Sequence, residues 1–144
     1  TVSNTREQKD VFWADLERAV GRVPSSDYIF VLIDANARTG VRMGEEEGCN
    51  VIGAYGRDTR VSDSKGTSLL RFAGDNKLAP VNTFFSVPEG CTSRKFNGTR
   101  PADRKCIDYI ITRQPHRKLV RNVTVHFQSR ADSDHNIVCA RVRL

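Results

Sequence analysis

In the stretch "YIFVLIDANARTG", residues Tyr28 to Ile33 form an uninterrupted apolar run that ends abruptly at Asp34. A run of that length bounded by polar residues is predicted to be a strand buried on both faces. Such a strand needs a covering layer on each side, which excludes a simple helical bundle. It also places Asp34 and Asn36, as D-x-N, at the end of a rigid element.

The neighbouring segments supply the layers. From Thr5 to Val20, the recurrence of Phe12, Leu16 and Val20 with Trp13 beside them predicts an amphipathic helix, ended by Gly21 and Pro24. Residues 35–64 show no sustained periodicity and are expected to be loop with at most one short strand, a length of loop that is commonly functional. A second helix is predicted over Thr67–Asn76, with apolar contacts from Leu69, Leu70, Phe72 and Ala73. Strands are predicted at Pro80–Phe85, Lys105–Thr112, Leu119–Phe127 and Ile137–Leu144, the last two alternating cleanly. Repeats and linker-like tracts are absent from the sequence, so residues 1–144 are read as one domain.

Several function classes are excluded at this level. No apolar run approaches the roughly 20 residues of a membrane-spanning helix, and no leader-like segment is present, so a soluble chain without membrane contact is expected. The chain begins at Thr1 without an initiator Met, which suggests an excerpt from something longer. Cys49, Cys91, Cys106 and Cys139 form no C-x-x-C pair, which argues against structural zinc. Cys106 and Cys139 lie in apolar strand-like runs as reduced cysteines do, pointing to an intracellular compartment, nuclear or cytoplasmic. Residues 91–144 hold 12 Lys/Arg against 4 Asp/Glu, leaving 11 against 13 in the rest. The basic half is therefore expected to face an anion, although cationic residues also serve simply as solubilising surface.

The residues able to do chemistry are few. Asp34 and Asn36 suit a ligand site at a strand end, but both are also ordinary turn formers. Asp108 in "KCIDYIIT" puts a carboxylate in the middle of an apolar strand, where it either points outward or needs a partner. Asp134 and His135, before the last strand, supply an imidazole that such a carboxylate could orient, or a mere turn. Taken together, three carboxylates, an amide and an imidazole suit metal-assisted hydrolysis of a phosphate ester. Hard oxygen ligands suggest Mg²⁺, with Mn²⁺ as the alternative.

"VLIDANARTG", "GTSLLRFAGDNKLAPVNTFF", "CIDYIIT" and "SDHNIVCARVRL" resemble, in order and approximate spacing, the endonuclease/exonuclease/phosphatase family. The likeness is greatest to non-LTR (LINE-type) retrotransposon endonucleases and their craniofacial-development-protein-2-like relatives, and covers roughly residues 8–144. It implies an α+β fold, the C-terminal half of a four-layer αββα sandwich: a mainly antiparallel sheet with helices on one face. It further implies that Asp34 is the water-orienting base and that Asn36 positions water and phosphate. Asp108 would hold the histidine, Asp134 would lie near the metal, and His135 on the scissile phosphate. Two departures are local: "DSKG" puts Lys65 where an amide is usual, and Thr92-Ser93 stands where Thr-Trp is usual. A third is larger, because the family's earlier strands, with an asparagine and the metal-binding glutamate, have no counterpart here. The "EEE" of residues 45–47 lies downstream of D-x-N and is no substitute. That absence leaves an apolar sheet face expected to be covered by the missing half or another chain, and weak or no activity for this chain alone.

The stretch "PEGCTSRKFNGTRPADRK" combines Arg94, Lys95, Arg100, Arg104 and Lys105 with Phe96 and an Asn97–Gly98 turn. The corresponding hairpin of the retrotransposon relatives probes DNA, and successive basic residues fit phosphate contacts with Phe96 packing or stacking. A solvated hairpin is the plainer alternative. For the whole chain the leading expectation is a Mg²⁺-dependent DNA endonuclease. The others are a catalytically silent relic binding nucleic acid or protein, and a phosphatase on inositol or lipid phosphates.

Overall fold

The computed structural model describes residues 5–40, 50–55, 62–87, 92–94, 104–126 and 133–144. Among them the order is α1 (Arg6–Arg22), β1 (Phe30–Asp34), α2 (Ser64–Asp75), β2 (Leu78–Pro80), β3 (Ser93–Arg94), β4 (Arg104–Lys105), β5 (Asp108–Arg113), β6 (Val120–His126) and β7 (Ile137–Val142). Short 3₁₀ helices occupy Val81–Phe84 and Gln114–Leu119. The described strands pair antiparallel as β1-β5-β2, β3-β4 and β6-β7, an α+β architecture.

Alternation along β5 sorts the core into two layers. Tyr109 and Ile111 face the helices, packing with Val20 of α1, Leu69, Phe72 and Ala73 of α2, and Leu78. Ile110 faces the other way, into a cluster with Val81, Val87, Val120 and Val123 that Val138, Ala140 and Val142 of β7 join. Both helices therefore lie on one face of the sheet and β6-β7 on the other. α1 starts at a reciprocal cap: Thr5 Oγ1 accepts the Gln8 N–H and Thr5 N–H donates to Gln8 Oε1.

The structure corrects several expectations. β1 is not buried on both faces: Val31 and Ile33 pack on the helix-side cluster, but Leu32 is 75% exposed. Among the described residues β1 is an edge strand, and the second cluster gathers around Ile110 without reaching Leu32. The predicted strand Pro80–Phe85 is instead the end of β2 followed by a 3₁₀ turn, because Pro80 has no N–H to give and Thr83 Oγ1 donates back to its carbonyl at 2.7 Å. The predicted strand Lys105–Thr112 is broken at residues 106–107, so Asp108 opens β5 rather than lying mid-strand. Helix α1 runs through Gly21 to Arg22, and α2 starts at Ser64, where Asp63 caps it. Leu119 falls in a 3₁₀ turn before β6, and β7 ends at Val142. Cys106 is buried but Cys139 is exposed, so only the first behaves as a core hydrophobe. Residues 45–47 lie outside the described residues. No helix among the described residues is long and apolar enough to cross a membrane.

Candidate active site

Asp34, the last residue of β1, lies directly opposite Asp108, the first of β5. Opposed residues of an antiparallel pair share a face, so the register alone brings the two carboxylates to the same end and side of the sheet. His135 arrives from just before β7 and forms an isolated antiparallel bridge with Ser93. Its Nδ1 is 3.0 and 3.1 Å from the two Asp108 oxygens. An ionised carboxylate only accepts, so Nδ1 carries the proton. The opposite ring nitrogen, Nε2, is 3.8 Å from Asp34 Oδ2 and 3.9 Å from Asp134 Oδ1.

The exposures grade in a way that fits these positions. The side chain of Asp108 is 20% exposed, that of His135 35%, and those of Asp34 and Asp134 42% and 59%. Burial pushes the Asp108 carboxyl above its ordinary 3.8. A hydrogen bond from Thr92 and the charge and hydrogen bond of His135 work against that rise, while the negative charge of Asp34 adds to it.

The loop after β1 is held from three directions. Asn36 adopts a left-handed φ of 46°, which Asn tolerates better than most residues, and its N–H donates to Asp34 Oδ1 at 3.0 Å. The buried Tyr109 hydroxyl lies 3.0 Å from the Ala37 carbonyl and 2.8 Å from that of Cys106, and accepts the Thr39 N–H at 3.3 Å. Asp63 accepts N–H groups from both Gly66, inside α2, and Arg38, inside the loop. A Cβ on Gly66 would overlap the Arg38 carbonyl, so glycine is what lets α2 approach the loop so closely.

Asp108 is held at its backbone as well. Asn82 donates to the Asp108 carbonyl at 3.0 Å and accepts the Ile110 N–H at 2.9 Å. Thr92 Oγ1 accepts the N–H groups of Ile107 and Asp108 at 2.9 and 3.0 Å, which is why no strand ladder forms there. Sequence reasoning missed Asn82, Thr92 and Tyr109 as site supports. The available signal was weak: Asn82 is a polar residue inside an otherwise apolar run, while Thr92 lies in a polar stretch that marks nothing.

The basic hairpin is joined to this cluster through its base. Ser93 pairs with Lys105 on one side and bridges His135 on the other, while Arg94 occupies the position opposite Arg104. Arg104 is exposed and Lys105 half-buried. Lys95, Phe96 and Arg100 lie outside the described residues, as do Asn97 and Gly98. Lys65 sits in the first turn of α2, on its exposed side.

Asp34, Asp108 and His135 each offer one ligand atom, and these atoms all lie within 4.8 Å of one another, close enough to hold a metal ion. Two of the three already bond each other, so the oxygen atoms of Asp34 and of the nearby Asp134 are the less committed donors. That set is too small for the six oxygen ligands of Mg²⁺ and would need completion by water, phosphate or other residues.

No family model matches the chain. It is 30% identical over 135 residues to craniofacial development protein 2 of Bos taurus, and equally so to that of Tragulus javanicus. Each alignment covers 92% of this chain, which spans about a fifth of the length of these relatives. The fold is similar, with a TM-score of 0.68 and 16% identity, to the 3′ phosphatase NExo from Neisseria bound to a product DNA hairpin. The superposition covers 99% of this chain and 56% of that one. By sequence the chain is craniofacial-development-protein-2-like, and it shares the fold of the 3′ phosphatase NExo.

Proposed function

We propose that the site hydrolyses phosphodiester bonds in DNA with the help of a divalent cation, Mg²⁺ or in its place Mn²⁺, in the manner of a retrotransposon-type endonuclease. The observation that carries this reading is the polarity of His135: one ring nitrogen is committed to Asp108, and the other stands beside Asp34 and Asp134 without a hydrogen bond to either. In this arrangement Asp34 accepts a proton from water and Asn36, on the same turn, positions that water against the phosphorus. As the water oxygen bonds to phosphorus, the P–O bond to one ester oxygen breaks, and that oxygen leaves with the bonding pair and takes up a proton from solvent. In its doubly protonated form His135 donates from Nε2 to the phosphoryl group as its charge grows, while its Nδ1–H stays on Asp108, which keeps the ring oriented. Asp134 would hold the cation, with Asp34 in reach; when bound, it neutralises the phosphate and polarises it toward attack. Without such a charge an anionic diester would be repelled by the two carboxylates flanking Nε2.

DNA as the substrate is supported by the hairpin. Arg94 and Arg104 occupy opposed positions, where like charges are unfavourable unless an anion lies between or beside them. That pair begins next to Ser93, the residue bridged to His135, so a bound backbone would run from the hairpin to the imidazole. The NExo structure, bound to a DNA product, is of the same fold.

Incubation of residues 1–144 in excess over supercoiled plasmid, with Mg²⁺ or Mn²⁺, tests the reading. Slow nicking is expected, abolished by chelation, by Asp34→Asn and by His135→Ala. Nicking that survives both substitutions would refute it, and so would a chain that neither nicks nor retains DNA.

A further inference from the structure

Thr92 is fully buried, and each of its polar groups is committed. Its N–H donates to the Lys105 carbonyl at 2.8 Å, and its carbonyl accepts the N–H of Asn136, the residue after His135, at 2.7 Å. Its hydroxyl accepts the N–H groups of Ile107 and Asp108. A hydroxyl has two lone pairs, so these two bonds take up its capacity to accept and fix it on the backbone of residues 107 and 108.

We propose that Thr92 is a positioning residue for the Asp108–His135 pair, its hydroxyl fixing the backbone that carries the carboxylate and its carbonyl fixing the segment that carries the imidazole. Asp108 and His135 come from the start of β5 and from the segment just before β7, and their 3.0 Å contact depends on both backbones keeping their places. Among the described residues Thr92 is bonded directly to the backbones at both ends of that contact. The neighbouring Ser93–His135 bridge extends the same seam by one residue. As a role in catalysis this rests on the proposed hydrolysis, but the bonding and its test do not.

Valine has nearly the shape of threonine without the hydroxyl, so Thr92→Val removes the side-chain half of the device while keeping volume, and Thr92→Ser restores it. The readout is the ring N–H proton of His135 in low-temperature NMR spectra of residues 1–144, where a proton held by a carboxylate resonates far downfield and exchanges slowly. The wild-type resonance is expected to be lost or moved upfield in Thr92→Val and to return in Thr92→Ser, with the ring signals of His116 and His126 unchanged as fold controls. Should Thr92→Val not fold, the wild-type chain decides: the amide protons of Asp108 and Asn136, both held by Thr92, are expected to exchange slowly. A His135 resonance unaffected by Thr92→Val, or rapid exchange of the Asp108 and Asn136 amide protons, overturns the proposal. Loss of nicking activity in every chain, with these signatures intact, counts against the hydrolytic reading and leaves the positioning role supported.

Discussion

His135 Nδ1 stands 3.0 and 3.1 Å from the two oxygens of Asp108, nearly midway between them. The carboxylate thereby fixes both the tautomer and the plane of the ring, and Nε2 is left as the only imidazole atom available to a substrate. Asp108→Ala frees the ring to rotate and to carry its proton on either nitrogen. In an active form, turnover is expected to fall by roughly 10²–10⁴-fold with KM changed far less. Because the two side chains act as one unit, adding His135→Ala to Asp108→Ala should cost little more than either substitution alone. Steady-state kinetics of the three variants checks this.

The raised Asp108 carboxyl has two opposite consequences with pH. A carboxyl whose folded pKa exceeds its unfolded 3.8 binds its proton more tightly when folded. Its contribution to stability is then fully present below 3.8 and is lost as pH rises through the folded value. Asp108→Asn removes that dependence. Denaturant unfolding from acid to neutral pH should show wild type losing stability relative to Asp108→Asn across that window and running parallel above it. Activity goes the other way, since only ionised Asp108 holds His135, so turnover should fall on acidification at a pH above 3.8.

The loop after β1 is braced by close approach rather than by apolar area. Gly66→Ala would drive a Cβ into the Arg38 carbonyl, which is backbone and cannot swing aside. A loss of about 1–3 kcal/mol in unfolding free energy is expected. Tyr109→Phe should cost about the same by removing the hydroxyl that bonds the Thr39 N–H and the Ala37 and Cys106 carbonyls. Both variants should also depress activity, since the loop carries Asn36.

Retention on duplex DNA should weaken steeply with salt. At about 0.9 per phosphate contact, five contacts from the hairpin give a log–log slope of about −4.5. Arg94→Glu with Arg104→Glu should flatten that slope by about 2, in fluorescence-anisotropy titrations at several salt concentrations.

Much of this was legible before any coordinates. The helix-strand-helix order followed from periodicity, and Asp34 could be placed at a strand end because an apolar run stops at a charge. What was not legible depends on contacts distant in sequence. Leu32 belongs to an unbroken apolar run yet is exposed, because burial is decided by which layer reaches the edge strand. Asp108 looked central to its strand because nothing local shows that Thr92, 16 residues earlier, takes its N–H. The 3₁₀ turn at Val81–Phe84 reads as a strand from its apolar residues alone, since the Thr83 back-bond that closes it leaves no pattern.

The most direct test is where a divalent cation settles on the chain. Residues 1–144 titrated with substoichiometric Mn²⁺ should show paramagnetic broadening first at the NMR signals of Asp34, Asn36, Asp108, Asp134 and His135. Asp34→Asn combined with Asp134→Asn should abolish that selectivity. Broadening that is uniform, that centres on other residues, or that persists in the double variant would contradict a metal-assisted phosphodiesterase site at His135.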